Sequence, residues 1–471
     1  MEQGRIHLIG ICGIAMGTLA GMLKMRGFEV TGSDANAYPP MSDILRRMNI
    51  PVAEGFHERN LSGADLAVIG NAVSRGNPEA ESVLDSGIPY LSMAQALQRF
   101  FFAGKEVVAV AGTHGKTTTT ALLAHILRSA GEDPSFFVGG VLRNYDTNFG
   151  LGDGRFFIVE GDEYDSAFFE KVPKFIIYRP RHLVLTSLEF DHADIYRDLG
   201  EIELMFRRLV NIIPSLGYIV YSREYENLET IVSGSLSRCR SYGAENADFN
   251  WKMIRRGEKS ALLEISLETG LLTADSPITG DYNFMNVTAA AAMASLLGVP
   301  MESIRAGIES FQGVKRRMEL IYRKGGTLVF EDFAHHPTAI GSVLSDLRAQ
   351  YPDHLLWAVY EPRSATSRRN TLGHLLPKSF ACADRVLLRE PYKLDGINPA
   401  ERIDIGRIRS EICEIKGDPS CAGVYENADA IVASLSLSID VEGNNIIIIM
   451  SNGGFEGIYG KLCRALESPA N

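Results

Sequence analysis

Several classes of protein are excluded by what this 471-residue chain lacks. Its six cysteines are scattered without C-x-x-C spacing, and its first residues are polar and unlike a signal peptide, so we expect reduced thiols and a cytoplasmic location. A formal net charge of −11 with no evident basic stripe argues against nucleic-acid binding by phosphate neutralisation. Apolar runs such as residues 446–450 are far too short to cross a bilayer, so we expect no membrane anchor.

What the chain does have is the composition of a large globular protein. Its length suggests about three domains, and an apolar fraction of 45% suffices for several cores. Strand-like runs alternate with helix-like stretches, which predicts an α/β fold of mainly parallel sheets with flanking helices. The alternation breaks near Gly104 and again near Gly313. We therefore predict domains at residues 1–104, 105–313 and 314–471.

The most informative motif lies between an apolar strand at 107–111 and a helix-like stretch that begins near Lys116. Its sequence is Gly112-Thr113-His114-Gly115-Lys116-Thr117-Thr118. Glycines let backbone N–H groups approach phosphate oxygens, and the helix start adds positive potential. The lysine suits β/γ-phosphate oxygens and the hydroxyl suits Mg²⁺. The motif predicts ATP binding, although its commonest form has a further glycine where Val110 stands.

Two acidic clusters follow strand-like runs of the middle region. The first, at 160–165, lies at the carboxyl edge of a predicted parallel strand, where Glu160 together with Thr117 would suit Mg²⁺. The second, at 189–194, contains His192. A neutral imidazole serves as a metal ligand, a phosphate donor or a packing residue, and the sequence leaves these three roles open.

Further candidates lie at the end of the middle region and at the start of the last one. Asn283 and Asn286 share one face at a helix start, where they would act as caps or contact an adenine edge. Arg317, Asp332 and His335 lie near the second domain boundary. A guanidinium can clamp a transferring phosphate, and an aspartate can bind ribose hydroxyls.

The first region offers a glycine turn between a strand and a helix. Gly10, Gly13 and Gly17 have the spacing G-x-x-G-x-x-x-G, which differs from the G-x-G-x-x-G of dinucleotide enzymes. Asp34 ends the next strand. The turn serves either helix packing or a diphosphate. In the last region, the segments 361–364 and 450–455 each follow a strand and should face the central cleft.

Taken in order, these segments resemble the Mur ligases, the ATP-dependent amide-forming enzymes of peptidoglycan assembly, over essentially the whole chain. Further segments that carry the likeness are Gly32-Ser-Asp-Ala-Asn36, Tyr38-Pro-Pro-Met-Ser42, Gly70-Asn71-Ala72, Arg75-Gly-Asn-Pro78, Phe333 to Ile340, Glu361-Pro-Arg-Ser364 and Met450 to Phe455. Within the family, the nearest branch joins UDP-N-acetylmuramate to the tripeptide L-alanyl-γ-D-glutamyl-meso-diaminopimelate in peptidoglycan recycling. The resemblance implies a Rossmann-like UDP-sugar domain at 1–104, a P-loop ATPase domain at 105–313, and a Rossmann-like domain at 314–471 that brings the amine.

The resemblance also implies roles for individual residues. Lys116, His192 and Arg317 would be catalytic, with Thr117, Glu160 and His192 holding Mg²⁺. The residues implied to bind ATP are Gly112, Thr113, His114, Gly115, Lys116, Thr117, Thr118, Asn283, Asn286, Arg317, Asp332 and His335. The candidate substrate-binding residues are Gly10, Cys12, Gly13, Asp34 and Asn71 in the first domain, and Arg363, Ser364, Ser451 and Asn452 in the third. The chain departs from relatives at Tyr282, where histidine is frequent, and it has no lysine from 175 to 251 for the carbamylation found in several Mur ligases.

Three alternatives compete with this interpretation. The first is the same ligase chemistry with free L-alanine as the amine donor. The second is a nicotinamide-dependent oxidoreductase built on the first glycine turn, which leaves the lysine-threonine loop unexplained. The third is a noncatalytic nucleotide-binding switch, which requires no amide product.

Overall fold

The structure of the protein is a computed structural model that describes residues 4–37, 41–257 and 259–467. Tyr38, Pro39 and Pro40 of the segment 38–42 lie outside the described residues. Three large sheets follow one another along the chain, each mainly or wholly parallel and flanked by helices. The predicted α/β architecture is therefore confirmed. Within the described ranges, no helix combines the length and the apolar composition needed to cross a bilayer.

The first sheet is parallel throughout, in the order β3-β2-β1-β4-β5. Its strands are β1 (Arg5–Ile9), β2 (Glu29–Asp34), β3 (Val52–Glu54), β4 (Leu66–Ile69) and β5 (Tyr90–Ser92). Its helices are α1 (Ile14–Met25), α2 (Met41–Arg47), α3 (Pro78–Ser86) and α4 (Met93–Phe101). Local sequence explains the helix starts, since Asn77 caps α3 and a capping box of Ser92 and Gln95 begins α4.

The central sheet has ten strands in the order β17-β16-β15-β14-β13-β12-β6-β9-β7-β8. These strands, with a separate β10–β11 hairpin, are β6 (Glu106–Ala111), β7 (Ser135–Leu142), β8 (Thr147–Gly150), β9 (Phe156–Gly161), β10 (Asp165–Ala167), β11 (Glu170–Pro173), β12 (His182–Leu185), β13 (Tyr218–Ser222), β14 (Arg238–Gly243), β15 (Phe249–Arg256), β16 (Ala261–Leu267) and β17 (Gly270–Ser276). The helices are α5 (Lys116–Ser129), α6 (Lys174–Tyr178), α7 (Leu199–Asn211), α8 (Glu226–Val232), α9 (Asp281–Leu296) and α10 (Met301–Glu309). The antiparallel extension from β15 to β17 was not predicted.

The third sheet has the order β18-β19-β23-β20-β21-β22, and only the β18–β19 pair is antiparallel. Its strands are β18 (Glu319–Lys324), β19 (Thr327–Asp332), β20 (Leu355–Tyr360), β21 (Arg385–Arg389), β22 (Ala422–Tyr425) and β23 (Asn445–Met450). The helices are α11 (Pro337–Gln350), α12 (Leu376–Ser379), α13 (Ile405–Lys416), α14 (Ala428–Ser438) and α15 (Ile458–Glu467). Strand β23 is buried on both faces, as its unbroken apolar run requires.

Polar contacts join the domains around one edge of the central sheet. The carboxylate of Glu170, in the β10–β11 hairpin, accepts hydrogen bonds from Ser92 Oγ at 2.7 Å and Gln95 Nε2 at 2.9 Å in the first domain. On the opposite side, the Asp281 N–H at the start of α9 donates to Asp346 Oδ1 of α11 at 3.3 Å. The carboxyl ends of β6, β9 and β12, which are neighbours in the sheet, therefore face a space enclosed by all three domains.

Candidate active site

A cavity of about 420 Å³ lies at the carboxyl ends of the central strands. The phosphate loop and the two acidic clusters line it from the central domain, and residues 332–336 with α11 line it from the third domain. Ala15 and Met93 contribute the first-domain wall. Its size is in the range of ordinary small-molecule sites, and its position matches the ligand edge of parallel sheets.

The phosphate loop joins β6 to α5 through a backbone that only glycine accommodates. Gly112 has a φ of 141° and Gly115 a φ of 80°. A Cβ at Gly112 would lie 2.8 Å from Ser187 N, and one at Gly115 would clash with Asn286 Oδ1. The His114 N–H donates to Ser187 Oγ at 2.7 Å, which holds the loop against the segment after β12. The loop is thus fixed in shape before any ligand contacts it.

The Lys116 ammonium lies in a buried ion pair. Its Nζ is 2.9 Å from Glu163 Oε1 and 2.5 Å from the Gly112 carbonyl oxygen. The same Glu163 oxygen is 2.7 Å from His192 Nε2. Burial opposes the charge of Lys116, but attraction to Glu163 and Glu160 outweighs it and raises the lysine pKa. One carboxylate therefore orients both the lysine and the histidine.

His192 lies in a constrained loop after β12. Its φ of 58° is in the left-handed region, and its ring packs against Tyr164 with a centroid separation of 4.1 Å. Burial lowers the imidazole pKa, but the hydrogen bond and charge of Glu163 outweigh this effect and raise it. Glu163 Oε2 is buried and, among the described residues, has no hydrogen-bond partner. A buried, unpaired carboxylate oxygen beside an imidazole is suited to a cation or to a substrate donor.

Thr117 and Glu160 are brought together as the sequence predicted. Thr117 Oγ1 donates to Glu160 Oε1 at 3.0 Å, and Arg317 Nη2 lies 3.1 Å from the same hydroxyl. Glu160 Oε2 accepts the Gly139 N–H at 2.8 Å. Burial raises the Glu160 pKa, and the nearby Lys116 opposes this shift. A hydroxyl, a buried carboxylate and a guanidinium thus meet beside the phosphate loop.

The two asparagines of α9 lie behind the phosphate loop. Asn286 Oδ1 accepts from Thr119 Oγ1 at 3.1 Å, and Asn286 Nδ2 donates to Asn283 Oδ1 at 3.3 Å. Asn283 Nδ2 donates to the Thr279 carbonyl oxygen at 2.9 Å. Both side chains are buried and line the cavity, and they also fix α9 relative to α5.

Arg317, Asp332 and His335 approach the cavity from the third domain. The Arg317 guanidinium lies 4.7 Å from the centre of the Phe333 ring. Asp332 accepts the N–H groups of Met318 and Ala334, each at 2.7 Å. Burial raises the Asp332 pKa, with Arg317 opposing it. His335 Nε2 is 3.7 Å from Asp191 Oδ2. All three predicted side chains line the cavity, at the junction of two domains.

Glu189 connects the phosphate loop to the third domain. Its Oε2 is 2.7 Å from His114 Nε2, and its Oε1 accepts from Thr338 Oγ1 in the first turn of α11 at 2.8 Å. The rings of His114 and His336 lie 4.7 Å apart. Burial opposes the charge of Glu189, but the hydrogen bonds from His114 and Thr338 together with the charges of His114 and His336 outweigh it, and the Glu189 pKa is lowered. Glu189 is therefore an ionised carboxylate that contacts both the central and the third domain.

The first-domain candidates form a separate turn. Asp34 Oδ2 accepts the Cys12 N–H at 2.8 Å, which ties the end of β2 to the loop between Gly10 and Gly13. None of these four residues is among those that line the 420 Å³ cavity. Asn71 Nδ2 donates to the Asp165 carbonyl oxygen at 3.1 Å and so contacts the central domain.

Three of the four third-domain candidates are engaged with neighbouring side chains of their own domain. Ser451 is fully buried, and its Oγ donates to Glu361 Oε2 at 2.6 Å. Arg363 Nη1 lies 3.6 Å from Glu361 Oε1. Ser364 Oγ bonds Ser367 Oγ at 2.9 Å. Asn452 Oδ1 is buried and has no partner among the described residues.

Sequence reasoning singled out neither Glu163 nor Glu189. Both lie in the acidic clusters that it described, at 160–165 and 189–194, and both follow central strands. The clusters indicated a site, but nothing in the sequence distinguished Glu163 from its acidic neighbours. Only the fold places its carboxylate between Lys116 and His192.

Comparisons with known proteins cover nearly all of the chain. Residues 5–103 match the model described as Mur ligase family, catalytic domain; 110–294 match the Mur ligase middle domain; and 316–453 match the Mur ligase, glutamate ligase domain. The chain is 38% identical over 478 aligned positions to the Escherichia coli K12 UDP-N-acetylmuramate–L-alanyl-γ-D-glutamyl-meso-2,6-diaminoheptandioate ligase, and the alignment covers 99% of each protein.

Two further proteins resemble the chain over nearly all of its length. The chain is 31% identical over 454 positions to the UDP-N-acetylmuramate–L-alanine ligase of Clostridium tetani, with 95% of each protein covered. A crystal structure of a murein peptide ligase from Psychrobacter arcticus is 34% identical and superimposes with a TM-score of 0.73, covering 99% of this chain and 100% of that one.

Proposed function

The chain belongs to the Mur ligase family, and on that basis we propose that it joins the lactyl carboxylate of UDP-N-acetylmuramate to L-alanyl-γ-D-glutamyl-meso-diaminopimelate at the expense of ATP. The observation that carries the proposal is the buried Lys116–Glu163–His192 group in a cavity that also contains Thr117 and Arg317. A noncatalytic switch requires a phosphate loop alone. It does not require acidic and basic side chains from two domains around one cavity.

The phosphate loop supports the proposal that ATP binds in the cavity. The backbone of residues 112–118 and the start of α5 provide N–H groups and positive potential for phosphate oxygens. Lys116 and Arg317 supply two further positive charges. Asn283, Asn286, Asp332 and His335 lie around the remainder of the cavity, where the nucleoside would bind.

The residues present fit Mg²⁺, a hard cation that prefers oxygen ligands. Thr117 Oγ1 and Glu160 Oε1 lie 3.0 Å apart, and the unpaired oxygen of Glu163 is buried nearby. We assign Thr117 and Glu160 to one Mg²⁺ and His192 to a second. When bound, the two cations neutralise negative charge on the phosphate groups.

The chemistry requires activation of an unreactive carboxylate. The lactyl carboxylate oxygen attacks the γ-phosphorus, the bond to ADP breaks, and an acyl phosphate forms. The peptide's amine nitrogen then attacks the carbonyl carbon and releases inorganic phosphate with loss of a proton. Two anions must approach each other in the first step, so Lys116 and Arg317 lower its barrier by balancing charge. The enclosing domains exclude water, which would hydrolyse the acyl phosphate.

The three domains have separate tasks in this scheme. Residues 1–104 bind the UDP-sugar, with the Gly10–Gly13 turn, Cys12, Asp34 and Asn71 as its contacts. Residues 105–313 bind ATP, and residues 314–471 bring the amine and close over the nucleotide. UDP-N-acetylmuramate and ATP are cytoplasmic metabolites, so we propose a cytoplasmic location.

The test is a comparison of amine donors. UDP-N-acetylmuramate with ¹⁸O in its lactyl carboxylate is incubated with ATP and either the tripeptide or L-alanine, and ADP release is measured. We expect faster turnover with the tripeptide and transfer of ¹⁸O to inorganic phosphate. Faster turnover with L-alanine would contradict the peptide assignment, and amide formation without ¹⁸O in phosphate would contradict the acyl phosphate.

A further inference from the structure

A second cavity, of about 310 Å³, opens beside His192 between the central and third domains. Phe190, Ala193, Tyr196 and Arg197 form its central-domain wall, and Arg369 to Thr371 with Glu401 form the opposite wall. We call it the interdomain cleft. The two walls are joined through the Ala193 N–H, which donates to Thr366 Oγ1 at 3.1 Å.

The interdomain cleft adjoins the proposed reaction centre. Ala193 follows His192 in the chain, and the Tyr196 hydroxyl donates to the Glu163 carbonyl oxygen at 2.7 Å. Glu163 in turn contacts Lys116 and His192. A small space between the two cavities is lined by Asp191, which also lines the 420 Å³ cavity, and by Arg369, which also lines the cleft. A substrate whose amine reacts beside His192 would reach the cleft along this route.

The third-domain wall carries two opposite charges that do not pair with each other. Arg369 Nη1 donates to the Ala365 carbonyl oxygen at 2.8 Å, and neither Arg369 nor Glu401 forms an ion pair with any residue that the structure describes. The backbone segments that carry them are held side by side, since Arg369 and Arg402 form an antiparallel bridge and the Ile403 N–H donates to the Arg368 carbonyl oxygen at 3.0 Å.

We propose that the interdomain cleft binds the diaminopimelate end of the peptide, with Arg369 contacting its terminal carboxylate and Glu401 its free ammonium group. The assignment rests on the proposed function. That end of the peptide is a zwitterion, and a guanidinium and a carboxylate held on one wall match both of its charges. Free L-alanine has no such end. Arg369 and Glu401 are therefore specificity-determining residues for the amine donor.

The alternative third-domain residues are poorly suited to this role. The Arg363 guanidinium lies 4.4 Å from the centre of the Tyr392 ring and 3.6 Å from Glu361 Oε1. Ser451 is fully buried against the same Glu361. On the opposite wall, Arg197 is exposed, but its Nε is already 3.6 Å from Glu201 Oε1. Arg369 is the better candidate because no carboxylate among the described residues competes for it.

The experiment measures amide formation by Arg369→Gln, Arg369→Lys and Glu401→Gln with three donors. These are the diaminopimelate tripeptide, the same tripeptide with L-lysine in place of diaminopimelate, and L-alanyl-γ-D-glutamate. Arg323→Gln is the matched control, because Arg323 is exposed on β18, outside both cavities.

We expect Arg369→Gln to raise the KM for the diaminopimelate tripeptide by about 10- to 100-fold, with kcat and the KM for ATP retained. The lysine tripeptide lacks the terminal carboxylate, so the same substitution should change its KM by less than about threefold. Glu401→Gln should raise the KM for both tripeptides, because both carry the ammonium group, and should leave the dipeptide unaffected. Arg369→Lys should recover part of the loss.

Two results separate the cleft assignment from the proposed function. If the wild-type protein uses the diaminopimelate tripeptide and both Gln variants keep its KM, the cleft assignment is wrong and the function stands. The assignment is also wrong if Arg369→Gln raises the KM for ATP and for all donors alike, because that pattern indicates structural damage. If the wild-type protein uses L-alanine but neither tripeptide, the proposed function is wrong, and the assignment fails with it.

Discussion

Glu163 is the residue whose substitution tests the proposed reaction centre most directly. Its Oε1 is 2.9 Å from Lys116 Nζ and 2.7 Å from His192 Nε2, and the carboxylate is almost completely buried. Glu163→Gln preserves the shape of the side chain and removes its charge. Lys116 and His192 then lose the group that orients both of them.

The structure predicts a modest effect on stability and a large effect on activity. Breaking a buried ion pair costs about 3–5 kcal/mol. Two effects offset this loss. Lys116 keeps the attraction of Glu160, and the variant avoids the cost of about 1–3 kcal/mol that the wild type incurs by burying the unpaired anionic oxygen of Glu163. We therefore expect the free energy of unfolding to fall by about 2 kcal/mol or less. Misplacing a charge that acts on the phosphoryl group should lower kcat about 10²- to 10³-fold.

The assay is steady-state ADP release with saturating substrates, together with thermal unfolding of the same preparations. Glu170→Gln is the matched control, because the Glu170 carboxylate also accepts two side-chain hydrogen bonds but lies outside the cavity. The control should retain kcat within about threefold, as expected for a residue that contacts no substrate. A Glu163→Gln protein with wild-type kcat would refute the role given to the Lys116–Glu163–His192 group.

Two other predictions concern the phosphate loop and the domain junction. Gly115→Ala should raise the KM for ATP more than about tenfold, because Gly115 has a left-handed backbone and the added Cβ would clash with Asn286. Gly131→Ala is the control: Gly131 also has a positive φ, of 81°, but open space around it, so the KM for ATP should stay unchanged. Burial raises the pKa of Asp346 to about 7, so the folded protein keeps a proton that the unfolded chain loses near pH 4. The stability of the wild type relative to Asp346→Asn should therefore fall by about 3 kcal/mol from pH 5 to pH 8 in denaturant titrations at the two pH values. The comparison with the variant is needed because burial lowers the pKa of His125 and His336 to about 4, and these histidines add stability over the same pH range in both proteins.

Each of these expectations has a clear contrary result. Equal KM values for ATP in the two alanine variants would mean that the phosphate loop tolerates a side chain at Gly115. A stability difference between the wild type and Asp346→Asn that is the same at pH 5 and at pH 8 would mean that Asp346 ionises freely at the domain junction.

The sequence best predicted those helices and strands that depend on residues close together in the chain. The strand predicted at 107–111 is observed as β6 with one further residue at its start, and the helix predicted to begin near Lys116 begins at that residue as α5. The extension from β15 to β17 was missed, since exposed polar residues interrupt the apolar pattern of these strands and their pairing is set by the fold.

In the candidate active site, too, contacts set by local sequence were predicted and contacts set by domain packing were not. The contact between Thr117 and Glu160 was predicted because each follows a central strand and adjacent parallel strands end at one edge. The Arg317 contact with Thr117 joins residues 200 positions apart and depends on how two domains dock, which local patterns do not encode. The charges of the interdomain cleft were missed for the same reason, because Arg369 and Glu401 become neighbours only in the folded third domain.

The two bonds of Glu189 have a consequence for how nucleotide and amine substrate influence each other. If the third domain swings away, Thr338 leaves and one carboxylate oxygen beside the phosphate loop loses its donor. Any ligand that draws the third domain inward therefore restores the Thr338 hydrogen bond to Glu189, the carboxylate whose other oxygen contacts His114 of the phosphate loop. By thermodynamic reciprocity, the peptide must tighten ATP binding by the same factor by which ATP tightens binding of the peptide.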